Sequence, residues 1–399
     1  MTVLYTRSFV SLLLAQAAFG YAFASFFLLP KFLAVEVGAG PDGIGLVMAS
    51  FGVTSVIFIP VVGTLVDRFG RRSFMTAGAL LMAATALGFA WVHEVGTIAY
   101  GLRALQGLAF AMTFTASATL ASDLAPPERL GQALGVFGVS MLSMHALAPA
   151  ISEEIAARAG WDGVFFTAAL AGVGCALLTL RVRESDRRPS GRESSSFWQV
   201  ARRPRSIRIA LVVAASGAAF GAMMTYSQPF ALALGREHVR GFFIAYAIAA
   251  ATVRLGFGSV ADEFGRDRVS LASLAAYGAV VTGMAALRGG LLEPIGALFG
   301  IAHGLFYPAF NALAVEGAGA DERGRVMALY NGSFNAGNAT ATAALGFLAA
   351  RAGYRSVFLA AGAGVFVALV LLACSPEGGL RRGREAGSDP SSGKTARLS

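Results

Sequence analysis

"GTLVDRFGRRSF", Gly63–Phe74, packs Asp67, Arg68, Arg71 and Arg72 into six residues between two apolar runs, "IGLVMASFGVTSVIFIPVV" before it and "MTAGALLMAATALGFAWV" after it. The hydrocarbon core of a bilayer is about 30 Å thick, which about 20 helical residues cross at about 1.5 Å each. Both flanking runs reach that length. The charged stretch therefore reads as a tight polar turn between two membrane-spanning helices, and the fold depends on whether the pattern recurs.

It recurs along the whole chain. Of 399 residues, 56% are hydrophobic and 14% charged, and the mean hydropathy is +0.64; these values exclude a water-soluble protein of this size. Twelve apolar runs stand between short polar breaks. The first six are Phe9–Pro30, Ile44–Val66, Phe74–Val92, Thr97–Leu120, Leu130–Ile155 and Val164–Leu180. The second six are Ile209–Leu234, Phe242–Val260, Val269–Leu287, Leu291–Val315, Val326–Ala350 and Val357–Cys374. The runs are continuous rather than alternating, and in lipid a helix satisfies its own backbone over such a length, so helices are expected and barrel strands are not. An "AFA" tripeptide behind Arg7 resembles a signal-peptide cleavage site. The stretch is nonetheless long enough to span, and it has a counterpart later in the chain.

Cytoplasmic segments collect Lys and Arg. With the N-terminus inside, the expected cytoplasmic segments hold 23 of the 32 Lys and Arg. A multi-pass protein of a bacterial-type inner (plasma) membrane with both termini cytoplasmic is therefore expected. Its net charge of +9 follows from topology and contact with lipid headgroups, without nucleic acid. Cys175 and Cys374 lie in different halves without metal-ligand spacing, and His93, His145, His238 and His303 are scattered. Neither a metal nor a cofactor is expected.

The chain also matches itself. "GTLVDRFGRRS" from Gly63 returns as "GSVADEFGRDR" from Gly258, "ARAGWDGVFF" from Ala157 as "ARAGYRSVFL" from Ala350, Glu128-Arg129 as Glu322-Arg323, and "AAFG" at Ala17 as "AAFG" at Ala218. Four matches in one order at nearly constant offset indicate two six-helix halves in parallel repeat, with a cavity between them. The expected organisation is a first bundle over 1–181, a basic Ser-rich linker over 182–208, a second bundle over 209–374 and a disordered tail over 375–399.

With these residues in place, the chain resembles the major facilitator superfamily of secondary transporters. Gly63, Asp67, Arg68, Gly70, Arg71 and Arg72 match its loop motif between spans 2 and 3, with a degenerate copy between spans 8 and 9 that keeps Asp262 and Arg266. "RALQG" (Arg103, Gln106, Gly107) on span 4 is similar to a motif of proton-coupled drug-efflux members. The antiporter motif of span 5 is poorly matched, since "LAPAISEEI" has Ala148 before Pro149 and Ser152 and Glu153 where glycines would stand. The resemblance implies an all-α integral membrane fold with twelve helices in two pseudo-symmetric bundles. It also implies a cytoplasmic latch in which Asp67 meets the start of span 11, near Arg323 and Arg325, in the outward-facing state.

Other residues are singled out by charge and polarity. Arg103, about 9 Å inside span 4, needs a partner or a wet cavity; the resemblance gives it a part in proton coupling. Groups able to carry a coupling proton are His145, His303, Glu153 and Glu154. Polar residues expected to line the cavity are Gln16, Gln106, Tyr226, Gln228, Tyr307, Asn311, Asn331, Asn335 and Asn338, which helix-to-helix hydrogen bonding would explain equally. Aromatic residues Phe19, Tyr21, Phe23, Phe220, Tyr226, Phe306 and Tyr307 suggest an amphipathic or aromatic cargo, or plain packing.

The leading expectation is a monomeric secondary transporter that moves a small organic solute outward, driven by protons through rocker-switch alternating access. A proton-coupled metabolite importer is the alternative. A membrane enzyme or a non-transporting receptor is remote, because no metal or nucleophile constellation appears and the longest hydrophilic insert is the linker; no catalytic residues are assigned. No phosphate-binding Gly-rich loop points to ATP.

Overall fold

The computed structural model describes residues 5–126, 129–184, 197–256, 266–316, 318–319 and 322–375. Span 1 is α1 (Arg7–Ala24), which runs through a 3-10 turn (Ser25–Leu28) into α2 (Leu29–Val35). The Thr6 hydroxyl caps α1 by accepting the Phe9 N–H at 3.2 Å. α3 (Pro41–Phe69) and α4 (Arg71–Gly88) are separated by one residue, Gly70, with φ +94°. Only glycine takes that backbone readily, so the charged stretch is a one-residue break between two helices.

α5 (Thr97–Leu124) is followed by α6 (Leu130–Thr179), which breaks at Gly160 (φ 73°, ψ 177°) into two legs, spans 5 and 6. The short α7 (Phe197–Ala201) and α8 (Pro204–Ala233) open the second half, and α9 (Arg240–Gly256), α10 (Arg266–Gly283) and α11 (Leu292–Val315) follow. α12 (Arg323–Ala373) breaks at Gly353 (φ 76°, ψ 168°) into spans 11 and 12. Gly160 and Gly353 are the glycines of the two "ARAG" copies, so the repeat in the sequence recurs as matching backbone geometry. Among the described residues, nine helices are long and apolar enough to cross a membrane. Two of them carry two legs each, and α9 adds a further 17 residues; together they are consistent with twelve spans.

The chain is an all-α membrane fold of two bundles. α1 packs on α6 and α8 on α12, while α4 lies against α5 and α9 against α11. In lipid, helices associate through close packing rather than hydrophobic expulsion, which favours glycine where backbones meet. Gly20 of the first "AAFG" lies against Met144 of α6, and Gly221 of the second lies against Asn338 and Thr342 of α12. The second-half core gathers Phe242, Phe243, Tyr246, Tyr277 and Phe299. The first half has separate apolar clusters around Phe19 and Met82 and around Phe89 and Phe165.

The side of the bundle on which α1 starts is the near side, and the opposite one the far side. Residues 185–196 of the expected linker and 376–399 of the expected tail lie outside the described residues.

Candidate functional site

The halves meet on the far side through a buried carboxylate. Glu153, on the first leg of α6 and 2% exposed, accepts the Lys31 ammonium of α2 at 2.5 Å. It also accepts the backbone N–H groups of Val239 at 2.9 Å and Arg240 at 2.6 Å. α9 begins at Arg240, so these are donors that a helix start leaves unsatisfied, at the positive end of its dipole. Lys31 donates in addition to the Glu237 carbonyl at 2.6 Å, and His238 Nδ1 stands 3.9 Å from Glu153. Glu154 pairs with Arg158 at 2.6 Å and with Arg240. Gln228 donates across the halves to the Phe27 carbonyl at 2.6 Å.

Alongside this polar seal, α3 and α12 touch closely. A Cβ added at Gly45 would meet the Tyr226 hydroxyl, the Thr342 carbonyl at 2.7 Å and Gly346 at 3.2 Å, and Gly52 faces Ala339 in the same way. The Tyr226 hydroxyl itself donates to the Thr342 carbonyl. Glu153 and Glu154, expected as proton-carrying groups, thus stand where the halves are joined. Lys31, Gly45, Gly346 and the start of α9 complete the seal, and nothing in the sequence pairs them.

The named ties between halves all lie on the far side. Toward the near side, Gly63 of α3 and Gly135 and Gly138 of α6 would place a Cβ in open space. Arg71 is 9% exposed; its guanidinium reaches Asp123 of α5 at 2.9 Å, and its backbone N–H donates to the Glu184 carboxylate at 2.5 Å. Arg71 therefore ties α4 to α5 and to Glu184, just beyond α6. Arg68 is exposed, with its guanidinium 5.3 Å from the Phe69 ring centroid, and Arg72 is half-buried. The side chains of Asp67 and Arg266, and Asp262 entirely, lie outside the described residues.

Each half carries an aromatic cluster beside the seal, and the two halves touch where Phe27 stacks on Phe243. His145 of α6 stands 5.0 Å from Phe27 and 6.0 Å from Phe23, and Phe23 adjoins Phe51 and Phe110. In the second half, His303 of α11 bonds the Tyr246 hydroxyl through Nδ1 at 2.7 Å, ringed by Phe220, Phe299, Phe334 and Tyr307. Arg254 of α9 places its guanidinium 5.3 Å from the Tyr307 ring centroid, within Coulomb range of His145 and His303. The Tyr307 hydroxyl donates to Asn331 at 3.2 Å, Asn335 donates to the Asn331 carbonyl at 2.9 Å, and Asn311 lies against Tyr307. Tyr307, Asn311, Asn331, Asn335 and His303 are thus neighbours. Arg254, a charge inside the apolar run of span 8 for which the sequence leaves a second-latch role and a solute contact equally open, stands beside them.

Several expected cavity residues instead contact neighbouring helices. Gln16 is fully buried and donates to Met141 Sδ at 3.3 Å. Gln106, also fully buried, accepts from Arg103 at 2.7 Å. Arg103 is 3% exposed and lies over Phe51, 4.6 Å from its centroid. Asn338 sits at the α8–α12 contact beside Gly221 and Thr342, and Tyr226 and Gln228 belong to the seal. Phe19 and Phe306 are fully buried core residues. Among the described residues, no cluster of three His, Cys, Asp or Glu could hold a metal ion.

Comparison with known proteins follows this geometry. A family model described as Major Facilitator Superfamily matches residues 10–290 and 239–396. The chain is 28% identical over 331 residues to the multidrug resistance protein MdtG of Enterobacter lignolyticus, covering 79% of this chain and 78% of that one. It is 24% identical over 330 residues to the multi-drug resistance efflux pump PmrA of Streptococcus pneumoniae, covering 79% and 82%. Among solved structures, the nucleoside transporter NupG superposes with a TM-score of 0.77 at 13% identity, covering 91% of this chain and 98% of that one.

Proposed function

The chain belongs to the Major Facilitator Superfamily of transporters, and on that premise we propose that it exports a small organic solute across the inner membrane in exchange for protons. The two bundles, 1–181 and 209–374, rock about the central cavity as a monomer, with both termini in the cytoplasm. One observation carries the reading: an aromatic cluster from each half, holding His145 and His303, lies beside a far side that is shut between the halves by Glu153, Lys31 and the start of α9. A shut far side is what a transporter open to the near side requires.

In this reading Glu153 couples the proton to the motion. As a carboxylate it holds Lys31 and the α9 donors; once protonated it loses the charge that makes both attractions strong, and the far side can part. Glu154, His145 and His303 stand as further proton carriers, and Arg103 as the group that holds the first half's charge balance through Gln106. On the near side, Asp67 with Gly63, Gly70, Arg68 and Arg72, and Asp262 with Arg266, form the latches of the opposite state, while Arg71 braces the first half. A second reading, import with protons, is supported by the departure "LAPAISEEI" from the antiporter pattern on span 5.

Purified protein in proteoliposomes tests the proposal by counterflow of labelled solutes, followed by transport under an imposed pH gradient. Export by exchange predicts that solute and protons move in opposite directions; movement in the same direction would select import. No counterflow of any solute across a broad panel would contradict transport.

A further inference from the structure

The spans carry an uneven set of charges. The acids within the twelve apolar runs are Glu153, Glu154 and Glu293. The first two belong to the far-side seal, and Glu293 is bound to Arg236 at the far end of α11. The cations within the runs are Arg103 and Arg254. Arg103 is turned into the first half against Gln106 and Phe51. Arg254 stands over the Tyr307 ring, near His145 and His303, and among the described residues no carboxylate pairs with it.

The neighbours of Arg254 are short of partners in the same region. The His303 Nε2, the Tyr330 hydroxyl, the His145 Nε2 and the Arg254 Nε are buried atoms without a hydrogen-bond partner among the described residues. His303 is 6% exposed and Tyr330 only 1%, and both lie within Coulomb range of Arg254. A guanidinium held among aromatic rings at membrane depth is costly without a counter-charge. Unsatisfied buried donors add to that cost. A cargo that brings an anionic oxygen relieves both, accepting from Arg254 and from the imidazole and phenol donors beside it. Its body would stack on the Phe23–Phe27 and Phe220–Phe334 rings, where flat rings make favourable contacts.

Resting on the transport reading above, we propose that the cargo is an aromatic organic anion, with Arg254 as the specificity-determining residue that receives its negative group. Among the described residues around Arg254 no carboxylate stands to receive a cationic cargo of the same shape, which would meet the guanidinium instead.

Three probes that share one ring system separate charge from shape: 1-naphthoate, 1-naphthamide and 1-naphthylmethylammonium. Binding to the purified full-length protein is read by thermal stabilisation and by competition, on wild type, R254K and R254Q. The expected order is naphthoate, then naphthamide, then the ammonium. R254Q should lower naphthoate affinity about tenfold or more, leave naphthamide little changed, and be partly rescued by R254K. Ligand-free melting of each variant shows that the fold is intact. Equal or tighter binding of the ammonium, or naphthoate affinity unmoved in R254Q, overturns the proposal. Counterflow of labelled naphthoate is a separate readout. If binding lacks charge preference while other solutes still exchange, the cargo class falls and the transport reading stands. If naphthoate binds through Arg254 but never exchanges, it is not cargo and the proposal is overturned.

Discussion

Glu153→Gln should open the far side and abolish the response of transport to a pH gradient. The substitution keeps the shape of the side chain and one acceptor, but it removes the charge opposite Lys31, whose side chain is 13% exposed against 3% for Glu153. Removing one partner of a buried pair costs about 3–5 kcal/mol, because the other charge stays buried alone. Lys31 and Glu153 belong to the same half, so that cost bears on both states; what falls on the far-side-closed state alone is the weakening of the charge-assisted bonds from Val239 and Arg240 of the other half, about 1.5–3 kcal/mol. At about 1.4 kcal/mol per factor of ten, that state should lose roughly one to two orders of magnitude in population. The sign follows from the charge: protonation of Glu153 in the wild type acts as the substitution does, so acid favours opening and the variant should no longer respond. A cysteine at Ala339, 3% exposed and pressed on Gly52, reports it in a background without Cys175 and Cys374. Its labelling by an impermeant reagent from the far side should accelerate strongly in Glu153→Gln. Unchanged labelling would remove Glu153 from the seal.

Valine at Gly45 and valine at Gly337 should fail in different ways. At Gly337 a Cβ would run into the backbone of Ala214, with its carbonyl carbon at 2.6 Å, and Gly217 faces Phe334 equally closely across the same α8–α12 crossing. Both helices lie in the second half, so relief requires the bundle core to separate. Overpacking costs about 1–3 kcal/mol when side chains can shift, and here the obstacle is backbone. Gly337→Val is expected to lower the melting temperature sharply or to prevent recovery of folded protein. The Gly45 obstacles, Tyr226, Thr342 and Gly346, belong to the other half, and two halves that rock can part. Gly45→Val is therefore expected to keep a melting temperature close to wild type while raising far-side labelling at Ala339→Cys. A sharp loss of folding in Gly45→Val would mean that the α3–α12 contact is permanent core rather than a moving interface.

The elements were legible where one physical signal decides. Hydropathy marks the spans because lipid admits no other backbone. The offset copies of "ARAG" announced the matching breaks at Gly160 and Gly353, and a glycine between Asp67 and Arg71 announced a tight turn. The seal was not legible, because Lys31 and Glu153 are separated by 122 positions and composition does not say which helix ends meet. Polar residues were legible only as polar: Gln16 and Gln106 find partners within the first half, whereas Tyr307 and Asn335 meet at Asn331. Both solutions give the same letters in an apolar run, since a side chain in lipid needs a partner and either a helix or water supplies one. Arg71 binds Asp123 and Glu184, partners that lie 52 and 113 positions away in the chain and that no spacing in the sequence marks.

Alternating access itself is tested most directly by spin-label distances in lipid, in the protein freed of Cys175 and Cys374. One pair at Val35 and Leu234 reports the far side, and another at Phe69 and Arg323 reports the near side; Val35, Leu234 and Phe69 are well exposed. The account predicts that acid lengthens the far-side distance and shortens the near-side distance in the same molecules. Distances that do not change with pH, or that lengthen together, would contradict it.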